Sequence, residues 1–457
     1  MFQPSPRVLR FAALALSLAS TARGALAAST PDAGPGPLAL ETVFAEVSAA
    51  NPSLAAGRHE STAAWARARR AGAWDAPMLE VAAENVPVSG GFDQDPMTMK
   101  VMRRQQSVPI FGWRALAQRA AEGDARAAQA RVDDTRWQRL GDAWMAYADA
   151  YFAGTRAAAA RDHQQVMDKM TSAARARYES GRGRLDDLLR VEAERARIVA
   201  DAVSFGAEAR AARARLDALR GRDAGGAVEE FEAPPESLAP DSAAGWRDAV
   251  AAHPGVRALG ERETGRREMA RAARRMAWPE LTLRAAYGFR EPLAATTLHG
   301  LPVPAPENDD MWSAGVSLEL PLGVGSRQGA EASEALAMAD AAQAERRAMT
   351  LELESELVAL RARAGAARRT LVLFTDTVLV AQRRALAAAW SAYEAGATDL
   401  ASVFDAAHAS YAQELETSRA RQDLAGTLAR LLAVTARPEL VGVRVPAAGP
   451  EPQRRKP

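Results

Sequence analysis

The sequence predicts a mainly α-helical chain with a small β part, built by duplicating one helix–strand–strand–helix unit. Three observations predict this. Landmark residues recur in the same order roughly 200 to 215 positions apart. Short strand-like runs sit between helical segments in both halves, with period-2 alternation visible in the last of them. Two long stretches, Arg114 to Arg220 and Arg327 to Arg437, contain no proline and carry a three-four apolar spacing.

The N-terminus, 1–27, reads as an export signal. Arg7 and Arg10 precede a short apolar run from Phe11 to Ala19, and Ala25-Leu26-Ala27 places small residues at both recognition positions of a cleavage site. The run is about half of the ~20 residues that a spanning helix needs. The chain has no cysteine. That excludes disulfides, thiolate metal sites, a cysteine nucleophile and a lipid-modified N-terminal cysteine. Charged residues make up 25% of the chain yet leave a net charge of only +1, which fits long solvated helix faces and no nucleic-acid partner.

The first unit spans 28–220, with a β-hairpin at about 78–108 and a helical hairpin at about 114–220. Residues 221–245, acidic and rich in Pro and Gly, form a linker. The second unit spans 246–437, with a β-hairpin at about 280–320 and a helical hairpin at about 327–437. The tail, 438–457, is expected to be disordered. Four landmark pairs support the duplication. Asn51-Pro52 recurs as His253-Pro254, and the run from Trp74 to Ala83 recurs as Met276 to Ala285. The strand exit Val108-Pro109-Ile110-Phe111-Gly112-Trp113-Arg114 recurs as Leu320-Pro321-Leu322-Gly323-Val324-Gly325-Ser326-Arg327. Tyr178-Glu179-Ser180-Gly181 recurs as Tyr393-Glu394-Ala395-Gly396.

Strands are predicted at Met78–Asn85, Met99–Val108, Glu280–Phe289 and Met311–Leu320. In the last, Trp312, Ala314, Val316, Leu318 and Leu320 alternate with Ser313, Gly315, Ser317 and Glu319, placing one face in oil and the other in water. The loops Val86–Thr98 and Arg290–Asp310 are expected to be long and exposed. Coiled-coil seams run through Trp137, Leu140, Trp144, Tyr147 and Tyr151, through Ile198, Ala202, Phe205, Ala209, Ala212, Leu216 and Leu219, and from Leu353 through Leu371, Phe374 and Val378 to Ala381. Each first helix of a pair can run ~60 residues, or ~90 Å.

Four strands cannot close a barrel, and lipid does not tolerate an open sheet edge. Twelve strands from three chains could close, since membrane barrels begin at eight. With these features the chain resembles the TolC-like outer-membrane efflux channel family over about residues 40–437. The resemblance rests on the duplicated unit, the Pro-Gly-Arg strand exits (Pro109, Gly112, Arg114; Pro321, Gly325, Arg327) and the Tyr-x-x-Gly turns. It implies a homotrimer with a twelve-stranded outer-membrane β-barrel, continued by a coiled-coil α-helical periplasmic tunnel. It also implies contact with outer-membrane lipid, a periplasmic membrane-fusion adaptor and an inner-membrane RND pump. The expected role is a passive export duct with no cofactor and no catalytic residues.

In this family the turns at Gly181 and Gly396 form the periplasmic tip and gate. Aligned on these glycines, Asp187 and Tyr393 match an aspartate and a tyrosine that hold the tip closed, while Thr398 replaces the arginine of that set. Asp405 matches one of two aspartates ringing the aperture, and Ser402 stands at the other. Read from the residues alone, Asp187 and Asp405 are equally ordinary solvated helix charges.

Met78, Met97, Met99 and Met102 cluster around one hairpin. They fit either packing and lipid contact or a weak thioether site for Cu(I) or Ag(I). The stretches Glu84-Asn85-Val86-Pro87 and Asp95-Pro96-Met97-Thr98-Met99-Lys100 resemble the heavy-metal branch of the family. Export of heavy-metal cations is therefore the expected role, with multidrug efflux or a type I secretion duct as the alternative and a barrel-less periplasmic coiled-coil scaffold as a third. The five histidines are not at metal-ligand spacings, and Leu322-Gly323-Val324-Gly325-Ser326 lacks the lysine of a phosphate loop.

Overall fold

A computed structural model describes residues 36–88, 90–225, 229–237, 243–299, 301–303, 307–319 and 324–446. The expected signal peptide and the end of the tail lie outside them. The first unit contains α1 (Leu40–Ala50), α2 (Pro52–Gly72), β1 (Met78–Glu84), β2 (Met99–Val108), α3 (Trp113–Glu179) and α4 (Leu185–Leu219). The second contains α5 (Ala243–Ala251), α6 (Pro254–Arg275), β3 (Glu280–Phe289), a short hairpin of β4 (Thr296–Leu298) and β5 (Leu301–Val303), and β6 (Met311–Glu319). It continues with α7 (Val324–Leu373), a π-helical turn (Phe374–Val378), α8 (Leu379–Glu394) and α9 (Leu400–Thr435). The β4–β5 hairpin falls within the long loop expected at Arg290–Asp310.

The landmark pairs mark equivalent joints. Asn51, between α1 and α2, accepts from the backbone N–H of Ser53 (3.0 Å) and Leu54 (3.3 Å), and its Nδ2 donates to Leu219 O at the end of α4 (2.8 Å). His253, between α5 and α6, does the same with a ring. Nδ1 accepts from Gly255 N–H (3.2 Å), so the proton sits on Nε2, which donates to Ala433 O in the last turn of α9 (3.1 Å). Each side chain thus caps one helix start and satisfies an orphan carbonyl near another helix end. Proline follows both at the first helical position, where its missing N–H costs nothing.

Helix α3 runs 67 residues, about 100 Å, without a break. Its buried positions are mostly alanine, which brings α2, α4, α6 and α9 close on several sides. At one crossing Gly123 meets Gly265. A Cβ on Gly123 would stand 2.7 Å from Gly265 Cα, so the α3 and α6 backbones touch there. The main core packs Val43, Phe44 and Val47 of α1 against Leu140, Trp144 and Tyr147 of α3, with Leu428 and Leu432 of α9 alongside. Burial raises the Tyr147 phenol's pKa; its oxygen lies 2.6 Å from both Leu38 O and Glu232 O and donates to one of them.

Two expectations are corrected. The tail does not leave the fold at residue 438. Pro438–Val441 forms a 3-10 turn, Val441 is fully buried, and Arg136 Nη2 donates to Pro446 O (2.7 Å). The seam of the second long helix does not reach Ala381. Leu353, Leu357, Leu360, Ala364 and Leu371 are buried and Phe374 and Val378 half-buried, but Ala381 is exposed. The π turn inserts one residue, so the inward positions shift to Gln382, Leu386, Trp390 and Tyr393.

The linker also folds back. Leu38 N–H donates to Glu230 O (2.6 Å) and Glu232 N–H to Leu38 O (3.1 Å). Arg220, 2% exposed, gathers Glu46, Asp217 and Glu229, and Arg222 adds bonds to Glu46 (2.5 Å) and Glu229 (3.1 Å).

A two-faced sheet and a double-turn tip

The four long strands form one antiparallel sheet in the order β1-β2-β3-β6. Each unit supplies a hairpin, and β2–β3 pairing joins them, with Met102 opposite Tyr287 and Arg104 opposite Ala285. The outer edges of β1 and β6 have no strand partner among the described residues.

The register sorts the side chains onto two faces, since directly paired residues point the same way. One face carries Leu79, Val81, Met102, Leu283, Tyr287, Phe289, Trp312, Val316 and Leu318, all large, apolar and exposed. The other carries Glu80, Glu84, Arg103, Gln105, Glu280, Thr282, Arg284, Ser313, Ser317 and Glu319. On this polar face Arg103 binds Glu80 (2.8 Å) and Glu84 (2.6 Å), and Ser107 donates to Glu280.

Aromatic rings lie at both ends of the strands. Tyr287 and Phe289 touch edge-on at 4.7 Å near Trp312; Phe111 and Trp278 meet at 5.1 Å near the helix junction. Trp278 stands nine positions before Tyr287, just ahead of β3, a reach of about 30 Å for extended chain, or about 23 Å of thickness at a barrel's tilt. This matches the apolar band between aromatic girdles of an outer-membrane barrel. No described helix is long and apolar enough to cross a membrane.

The methionines are not assembled. Met99 and Met102 are three apart on β2 and point to opposite faces, while Met97 lies in the preceding loop, 54% exposed. Met99 Sδ lies against Gly288. Among the described residues no group of His, Asp or Glu is placed to hold a metal.

At the other end, the two helical hairpins turn identically. Gly181 and Gly396 both have φ 71°, a conformation that glycine adopts without a Cβ clash. Arg182 N–H reaches back to Arg177 O (2.9 Å) and Gly181 N–H to Tyr178 O (3.0 Å). Ala397 N–H reaches Ala392 O (2.8 Å) and Gly396 N–H reaches Tyr393 O (3.0 Å). These are paired Schellman caps. Asp399 then caps α9 by accepting from Ser402 N–H (3.0 Å) and Ser402 Oγ (2.7 Å), which lowers its pKa. Ser402, at a family aspartate position, is thereby used as a capping partner.

The remaining candidate residues have the following partners. Tyr393 is 6% exposed and lies under the Arg177 guanidinium at 4.2 Å. No hydrogen bond joins it to Asp187 within the protomer, so the expected Asp187–Tyr393 contact is not made inside one chain. Asp405 is paired. Arg190 Nη2 lies 3.0 Å from its Oδ1 and stacks over Phe404 at 4.4 Å. Sequence reasoning missed Arg190, although a signal existed: Arg190 and Asp405 each stand nine residues beyond their turn glycine, at equivalent positions of the duplicated unit.

Above the tip, His163 is buried and stacked on Tyr411 at 4.6 Å, with its rings within 3° of parallel. Burial pushes its pKa down to about 4, against the pull of Glu194, while His408 adds to the lowering. His408 Nδ1 lies 2.9 Å from Glu194, and Tyr411 donates to Asp201 (3.3 Å).

Comparison with known proteins gives one family. The model of the outer membrane efflux protein family matches residues 43–222 and 246–437. No curated protein matches the chain by sequence. Among solved structures, the outer-membrane channel OprN superposes with a TM-score of 0.71 at 19% identity, covering 87% of this chain and 89% of that one. The channel-forming protein CusC superposes with a TM-score of 0.73 at 14% identity, covering 87% and 91%. VceC of Vibrio cholerae gives 0.70 at 18%, covering 87% and 96%. At these identities the likeness shows a shared fold.

Proposed function

The chain belongs to the outer membrane efflux protein family, a family of passive channels rather than enzymes, and from that membership we propose that three copies close into one export duct. The observation that carries this reading is the sheet. It has four long strands, two edges without a strand partner among the described residues, one mainly apolar face with aromatic rings at its loop end and one polar face. A lone sheet of this kind cannot sit in lipid, because its edge N–H and C=O groups would stay unpaired. Pairing β6 of one chain with β1 of the next, three times, closes twelve strands with the polar face inward. The long helices continue the wall into the periplasm, where the Gly181 and Gly396 turns meet a membrane-fusion adaptor fed by an inner-membrane RND pump.

In this reading Asp187, Tyr393 and Asp405 belong to the gate. Among the described residues Asp187 makes no side-chain salt bridge, only a through-space attraction with Arg184, which leaves it for a neighbouring chain, and the Arg190 contact offsets the charge that Asp405 presents to the aperture. The cargo reading is heavy-metal cations, with organic compounds as the alternative. The inward face supports cations: four glutamates against two arginines leave two negative charges per protomer. Metal selectivity belongs to the pump, since Met97, Met99 and Met102 do not converge.

The mass of the detergent-solubilised protein tests the assembly. A trimer is expected, and a stable monomer with full strand content would overturn the duct. For cargo, deletion of the gene should sensitise cells to metals more than to dyes or hydrophobic antibiotics. M97L/M99L/M102L together should keep most resistance. The opposite sensitivity pattern favours the organic-compound alternative.

A further inference from the structure

Three polar residues stand on the apolar face: Lys100, Arg104 and Gln106, and Gln106 donates to Asp75 O and Ser107 O (both 3.0 Å). Arg104 lies at the middle of β2 on the apolar face, paired in register with Leu79 on one side and Ala285 on the other. It is exposed, and its guanidinium has no hydrogen-bond or ion-pair partner among the described residues. The neighbouring cations of the sheet are provided for. Lys100 reaches Glu291 (2.5 Å) at the loop end, and Arg103 reaches Glu80 and Glu84 on the polar face. Arg284 faces the polar side, where water can solvate it. A guanidinium against hydrocarbon is costly unless it finds an anion or reaches the headgroup layer.

The depth of Arg104 decides between these outcomes. The next outward row is Met102–Tyr287–Trp312, the aromatic girdle that marks the bilayer interface. One row is two residues, about 6.6 Å along the strand. An arginine stem lying along the apolar surface spans that distance and brings its head to the girdle. Beside Arg104 the row continues as Ala285 and Ala314, both smaller than the side chains of the rows above and below. They leave a shallow recess between the bulkier rows above and below. Barrel closure does not supply a carboxylate at any register, because the outward residues of the edge strands are Leu79, Val81 and Ala83 on β1 and Trp312, Ala314, Val316 and Leu318 on β6.

We propose that Arg104, with the Ala285–Ala314 recess and the Tyr287–Trp312 pair, binds the phosphate of a phosphorylated outer-leaflet lipid, one per protomer. The proposal rests on the membrane placement argued above. The loops between strands mark the outer side, since the helices occupy the periplasm. A guanidinium presents two parallel donors to a phosphate, which a solvated ammonium does not, and an acyl chain fits the apolar rows around it.

The test uses the full-length trimer in nanodiscs, read by native mass spectrometry and thermal unfolding. The probes are lipid A carrying its phosphates, the same lipid dephosphorylated, and phosphatidylcholine. Wild type should retain the phosphorylated form and melt higher in it than in the other two. R104Q should weaken retention about tenfold, the scale of one charge-assisted contact, with R104K in between. R104L discriminates most sharply. If Arg104 has no anionic partner, leucine improves the match to hydrocarbon, and the variant melts higher than wild type in every lipid, which overturns the proposal. Equal retention of phosphorylated and dephosphorylated lipid overturns it as well. A wild-type chain that remains a soluble monomer instead sinks the duct reading beneath it.

Discussion

Asn51 and His253 each hold a helix start with one side-chain atom and a distant helix end with another. Both functions disappear on truncation, so N51A and H253A should each lower stability by about 1–2 kcal/mol in detergent thermal melts. H253N should recover most of the loss, and equal losses for H253N and H253A would show that the ring's shape matters and its two nitrogens do not. His163 makes a different prediction. Its folded pKa of about 4 lies below the ordinary value of 6.5. Between those values the unfolded chain binds the extra proton, so the contribution is intact above pH 6.5 and is lost as pH falls toward 4. Glu194, His408, Tyr411 and Asp201 surround it and stay in place in H163Q. That variant should flatten the stability–pH curve in this window by on the order of 2 kcal/mol. An unchanged curve assigns the acid sensitivity elsewhere.

At the scale of elements, the two tip turns depend on a positive φ. G181A and G396A each force a Cβ into the left-handed region, at about 1–2 kcal/mol, and should loosen the tip first. Limited proteolysis at the turn, faster than in wild type, reads this out. The helix starts beyond the turns carry the acidic gate candidates, Asp187 and Asp405. D187A should raise single-channel conductance in planar bilayers, and unchanged conductance removes Asp187 from the gate. The exposed Arg190–Asp405 pair contributes under ~1 kcal/mol to stability, so R190A should leave melting nearly unchanged while uncovering the Asp405 charge. The π turn at Phe374–Val378 shifts the seam of the second long helix by one position, and with it the set of residues turned outward near the tip.

For the whole molecule, duplication and trimerisation impose a near-sixfold wall with two chemically different halves. The polar sheet face is net negative, with Glu280 and Glu319 directly opposite on β3 and β6 near the helix junction. Reconstituted channels should therefore prefer potassium over chloride in reversal-potential measurements. E280Q/E319Q should reduce that preference without changing strand content. Anion preference in the wild type would contradict the inward placement of this face.

The features legible from the sequence were local ones. The strand stretches between the helices were placed to within a residue, the last of them by its alternation, and the Tyr-x-x-Gly repeats located both turns, because a backbone's nearest neighbours decide those preferences. The opposite faces of Met99 and Met102 were also implicit in their odd spacing. The partners of Asp405 and Tyr393, the docking of 438–446 and the slip at Ala381 were not legible. Each depends on residues that only helix packing brings together, Arg190 over 215 positions in one case and Arg136 over 310 in another. The sequence by itself determined the unit, its duplication and the two-faced strands; the tertiary structure alone decided which charges meet, because an ion pair is set by distances of a few ångströms that no linear spacing encodes.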